Sequence, residues 1–108
     1  MTFDDYQKAA VATAIYPGDL KLIYPAIGLA GETGEVMEHI KKTIRDNDRQ
    51  LTEDRRHALA KELGDVLWYM ANLAEDAGLS RAELARQNIE KVNSRKARGV
   101  QHGSGDNR

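Results

Sequence analysis

With 108 residues, 41% of them hydrophobic and 31% charged, the chain has the size and balance of one soluble globular domain, short enough for a partner subunit to complete its core. Sixteen basic and 17 acidic side chains leave a formal charge of −1, which excludes a global pull toward nucleic acid or membrane. The absence of cysteine excludes disulfides, thiolate nucleophiles and zinc–thiolate sites.

The apolar run from Ala9 to Ile15 is too short to cross a bilayer, and Phe3-Asp4-Asp5 has the wrong charge for a signal peptide, so a cytoplasmic protein is expected. Thr2 is placed to cap a first helix, with Asp4 and Asp5 in its first turn and Val11, Ala14 and Ile15 as its apolar stripe. Tyr16-Pro17-Gly18-Asp19 stops it, because proline followed by glycine favours a turn. After a connector from Leu20 to Tyr24, Pro25 suits the first turn of a second helix running to about Ile44. At roughly 100 degrees per residue, Leu29, Val36, Met37, Ile40 and Ile44 form one arc on it, bordered on one side by Glu32, Glu35 and His39.

Asp46-Asn47-Asp48-Arg49-Gln50 reads as a polar loop, and Thr52 caps a third helix with Glu53 and Asp54 behind it. Its arc is Leu59, Leu63, Val66, Leu67, Met70 and Leu73, with Asp65 and Tyr69 at the border. Gly78 closes that helix, and Ser80-Arg81-Ala82-Glu83 has the pattern of a capping box opening a fourth, striped by Leu84, Ala85, Ile89 and Val92. Residues 98–108 lose all periodicity and form a glycine-rich tail, expected to be mobile on its own beside a helical domain over 1–97. No stretch reads as a strand. The expected fold class is all-α, a bundle of four helices completed by oligomerisation.

One motif recurs. Gly31-Glu32-Thr33-Gly34-Glu35-Val36 returns in altered form as Lys61-Glu62-Leu63-Gly64-Asp65-Val66, so each copy sets two carboxylates on neighbouring turns of one helix face. A single Glu-x-x-Glu is ordinarily a solvated helix face. Here the duplication, with matching angles beside the core, favours a four-carboxylate site, and like charges that close are tolerated only around a cation or with raised pKa values. Oxygen ligands without sulfur suit Mg²⁺, with Mn²⁺ as a substitute. Gly34 and Gly64 each cost about 1 kcal/mol inside a helix, which points to close backbone approach there. Ala60, Gly64 and Ala71 share one flank of the third helix, a hint of self-association.

Gly28 to Val36, followed by Lys61 to Tyr69, resembles the MazG-type nucleoside triphosphate pyrophosphohydrolases of the all-α NTP pyrophosphatase superfamily, whose signature is Glu-x-x-Glu, a spacer, then Glu-x-x-Asp. The spacer here is 26 residues, 36 to 61, and the likeness extends from Tyr6 to Arg98. The resemblance implies that Glu32, Glu35, Glu62 and Asp65 hold Mg²⁺ over a triphosphate, with Glu32 and Glu35 in the catalytic role. It implies attack by metal-activated water on the α-phosphorus, giving a nucleoside monophosphate and pyrophosphate. It also implies a homodimer or homotetramer, Tyr69 near the nucleoside, and basic residues of the last helix, here Lys91 and Arg95, on the phosphates. Lys41 and Lys42 are weaker candidates of the same kind, and neither membrane nor nucleic acid is expected as a partner.

Gly28-x-x-Gly31-x-x-Gly34 lacks the Gly-Lys-Ser/Thr ending and the preceding strand of a phosphate loop. Residues 73–90 read like a DNA-binding helix-turn-helix, and residues 80–108 carry seven basic against three acidic side chains, a local +4. A helix-turn-helix regulator is therefore the alternative function, although it leaves four matched carboxylates unexplained. A di-iron bundle would need Glu-x-x-His pairs, which are absent. Trp68 is expected at an interface, and His39 reads as an ordinary surface histidine.

Overall fold

The computed structural model describes residues 1–108 as four helices, α1 (Phe3–Ala12), α2 (Ile23–Asp46), α3 (Glu53–Asp76) and α4 (Arg81–Ala97), with a 3-10 turn at Gly18–Leu20 and no strand. Hydroxyl caps open three of them. Thr2 accepts from the Asp5 amide while the Asp5 carboxylate accepts from the Thr2 amide, a complete capping box. Thr52 accepts from Arg55, and Ser80 from Glu83.

The fourth start is built differently. Leu22, before α2, has a φ of 69° and offers no side-chain cap. This left-handed conformation is unfavourable for leucine. The Asp76 carboxylate at the end of α3 holds it, accepting from the Leu22 amide at 3.0 Å and from the Tyr16 hydroxyl at 2.8 Å. Burial and this bond push the Tyr16 phenol up to about 12.

At the end of α3, Gly78 adopts a φ of 71°, Leu79 N–H donates to Ala74 and Gly78 N–H to Glu75, which is a Schellman stop. Two local expectations need correction. The first helix ends at Ala12 rather than at Tyr16, because the Thr13 hydroxyl donates back to Ala10 and is itself bound by Trp68 Nε1; Ile15 is 97% exposed and belongs to no stripe. The Ser80 box is only half formed, since the Glu83 carboxylate is taken by Arg86 and Gln87.

The principal packing is between α2 and α3, which fold back on each other as a helical hairpin; α1 lies against α3, and α4 against α1. Gln7 knits these together, donating to Leu79 O at 2.9 Å and Glu75 Oε2 at 3.2 Å and accepting from the Arg81 amide at 2.9 Å. The buried apolar interior is small, consisting of Ala10, Pro25, Ala71 and Ala74. Much of the expected apolar arcs lies open: Met37 is 62% exposed, Leu63 50% and Ile89 57%. No second layer of helices covers them within one chain. The radius of gyration, 16.7 Å, exceeds the roughly 13 Å of a compact domain of this length.

Candidate metal centre

The hairpin brings the two acidic motifs together. One oxygen each from Glu32 on α2 and from Glu62 and Asp65 on α3 lie within 4.8 Å of one another. Glu32 and Glu62 are half-buried, while Asp65 is exposed at the mouth. Burial first, then a hydrogen bond with Glu62 and the charges of Asp65, Glu62 and Glu35, raises the Glu32 carboxyl above its ordinary range. A shared proton relieves such a cluster in the absence of a cation. A hard divalent ion would relieve it equally well, and the all-oxygen donor set fits Mg²⁺ or Mn²⁺.

Glu35 stands apart from this group. It is exposed and reaches Glu32 only through its charge, which places it on the rim. Three residues along a helix are about 300 degrees, so Glu35 is turned some 60 degrees from Glu32.

Tyr69 lies beside the carboxylates. Burial chiefly, with Tyr24, Glu32 and Asp65 nearby, raises its phenol above the usual value. Its ring rests so close to α2 that a Cβ on Gly28 would sit 2.1 Å from Cε1, so any side chain there would force the ring to shift. Gly31, Gly34 and Gly64 have open space around them within the chain, so no element of the same chain approaches the backbone there. Tyr16 stacks on Tyr24 at 5.0 Å, Tyr24 tilts toward Tyr69 at 6.4 Å, and Trp68 meets Tyr69 edge-on at 5.0 Å. This row of rings leads from the connector to the acidic cluster. The sequence pointed to Tyr69 alone; Tyr24 joins through the connector fold that Asp76 pins.

Lys91 and Arg95 do share a face of α4, but the tail occupies them. Asp106 Oδ1 is 3.4 Å from both Lys91 Nζ and Arg95 Nη2, and Arg95 also donates to Asp106 O at 2.9 Å. Arg108 fastens the fold-back by donating to Val100 O and Gln101 O. The tail is thus laid against α4, and Arg95 is buried beneath it. The Glu38 carboxyl is lowered chiefly by Lys41 and the Asp46 carboxyl chiefly by Arg45, and Lys42 adds only a minor charge effect at each, away from the cluster.

His39, read from the sequence as a surface group, proves to be largely enclosed and lies in hydrogen-bond contact with Glu62, with Nε2 3.3 Å from Oε1. The available signal was its position seven residues after Glu32, two turns on and on the same face. Trp68 is anchored to Thr13. The α4 cations are largely spent within the chain, Arg81 and Arg95 being buried and Arg86 paired with Glu83 and Glu90, which does not favour the DNA-reading alternative. No helix is long and apolar enough to cross a membrane.

A model of the MazG nucleotide pyrophosphohydrolase domain matches residues 26–100, spanning α2, α3 and α4 and hence both acidic motifs. A relative named Gene 37 protein, from Mycobacterium phage L5, is 46% identical over 114 residues, with full coverage of both chains. No solved structure matches. The four-helix architecture, the paired carboxylates on its central hairpin and the match over most of the chain lead to one conclusion: the chain belongs to the MazG nucleotide pyrophosphohydrolase domain family.

Proposed function

We propose that the chain hydrolyses a standard or modified (deoxy)nucleoside triphosphate to the monophosphate and pyrophosphate, by attack of water on the α-phosphorus with Mg²⁺ or Mn²⁺ present. The observation that carries this reading is the convergence of Glu32, Glu62 and Asp65 across the α2–α3 hairpin of a MazG-family chain. These three would hold the cation, with Glu35 joining from the rim. When bound, such an ion neutralises phosphate oxygens and makes water more acidic.

The rest of the chemistry falls to the chain's own groups. Glu32 and Glu35 orient the attacking water and accept its proton. Tyr69, held against Gly28, offers a face or a hydroxyl to the nucleoside, and Tyr24 extends that apolar wall. Lys91 and Arg95 bind the polyphosphate when Asp106 releases them. Lys42 would act only at the periphery. The uncovered arcs of α2, α3 and α4 support assembly into a homodimer or homotetramer, since surfaces of that kind are rarely left in water. We place the enzyme in the cytoplasm, where its substrates are.

The test is pyrophosphate release from a panel of nucleoside triphosphates, with and without divalent metal. Turnover should require the metal, and Glu35→Gln or Asp65→Asn should remove it while leaving a folded oligomer. Full activity in either variant, or in EDTA, rejects the assignment.

A further inference from the structure

His39 supplies the nitrogen that touches the acidic cluster. Its side chain is 19% exposed and that of Glu62 22%, so water competes weakly for the 3.3 Å contact between Nε2 and Oε1. When Glu62 is ionised, as it must be to hold a cation, it can only accept, and the contact then has the proton on Nε2. The other nitrogen, Nδ1, is buried without a partner. That vacancy suits a bare acceptor better than a stranded N–H donor, and it points to the same tautomer. The backbone below is fixed as well, since the buried Thr43 donates its hydroxyl to His39 O at 2.8 Å.

We propose that His39 is a positioning residue, whose Nε2–H anchors Oε1 of Glu62 so that this carboxylate meets a divalent cation in one orientation. The inference rests on the reading of Glu32, Glu62 and Asp65 as a cation site. Glutamate has three side-chain torsions, and freedom lost on ion binding weakens that binding. A carboxylate already held on one oxygen has less to lose. An imidazole that donates from Nε2 while Nδ1 stays bare adds no positive charge to oppose the incoming ion, whereas lysine or arginine at this position would. If His39 merely filled space between α2 and α3, an apolar side chain of similar size would serve the ion as well.

Mn²⁺ titration followed by electron paramagnetic resonance of the free ion, without nucleotide and at fixed pH, distinguishes these roles. Wild type is compared with His39→Met, His39→Gln and His39→Leu. Methionine and glutamine have similar length, and only glutamine keeps a donor. Groups that orient metal ligands from behind contribute roughly 10–100-fold in affinity. The Met and Leu variants are therefore expected to bind Mn²⁺ 10–100-fold more weakly, with Gln within about threefold of wild type. Retained affinity in Met or Leu, or a Gln variant as weak as Met, overturns the role; either apolar variant suffices if the other does not fold. Failure of the wild type to bind Mn²⁺ would remove the cation site itself, whereas equal binding by all four proteins removes only His39.

Discussion

Gly28→Ala tests how the aromatic wall is held against the hairpin. Gly28 lies inside α2, where alanine would ordinarily stabilise by about 1 kcal/mol. The added methyl would stand 2.1 Å from Tyr69 Cε1 and 2.4 Å from Cδ1, so the ring must retreat by about 1.3 Å to regain ordinary contact at 3.4 Å. It cannot retreat freely, with Trp68 against one side and Tyr24 near another. Overpacking of this kind costs about 1–3 kcal/mol. The expected net effect is a loss of about 0–2 kcal/mol. In a Tyr69→Ala background the obstacle is absent and the same substitution should stabilise by about 1 kcal/mol. Urea unfolding of the four proteins gives the cycle directly. An equal gain from Gly28→Ala in both backgrounds would refute the packing of Tyr69 on α2. Gly28→Ala should also raise KM for the triphosphate if the ring contacts the nucleoside.

Glu32→Gln should stabilise the metal-free protein near neutral pH by roughly 1 kcal/mol, the order of one like-charge repulsion at this spacing in a watery medium. Because the folded pKa of Glu32 is raised, its contribution in wild type is fully present below the ordinary value near 4.5 and is lost as pH rises through the raised one. The advantage of the Gln variant should therefore open with rising pH and close when Mg²⁺ is added, as thermal melts would record. A gap independent of pH would count against the cluster. Tyr16 behaves in the same sense: wild type should lose stability relative to Tyr16→Phe as pH climbs from near 10 through about 12, in unfolding curves taken at several alkaline pH values. Below that window Tyr16→Phe should cost about 0.5–1.5 kcal/mol for its bond to Asp76. Asp106→Asn weakens the counter-charge on Lys91 and Arg95, so KM should fall severalfold, while Lys91→Ala should raise it. A KM indifferent to both changes would return these cations to a structural role.

What could be read in the sequence was what is decided locally. Thr2, Thr52, Ser80 and Gly78 mark helix boundaries because a cap acts within three or four residues. The repeated Glu-x-x-acid spacing set the carboxylates on one face, and the hairpin then joined Glu32 to Glu62 and Asp65. Features fixed by distant partners were hidden. The end of α1 depends on Trp68 reaching Thr13, and the enclosure of His39 depends on where Glu62 arrives. Gly28 has no visible reason until the Tyr69 ring is placed, and the acid facing Lys91 and Arg95 comes from the aperiodic tail. The apolar arcs were correct as patterns, but a period says which side of a helix is greasy and not whether anything in the same chain covers it.

Every member of the acidic group comes from a single helix–loop–helix, residues 23–76, with the other helices packed outside it. The loop that joins the two arms is short and costs little entropy to close, so the carboxylates can meet early as the polypeptide folds, before its ends have docked. An ion bound there would act as a staple across the two arms, reinforcing the very segment that presents it. Of the flanking helices, α1 contributes no residue to the proposed site, so its length and chemistry could diverge without dismantling the acidic group.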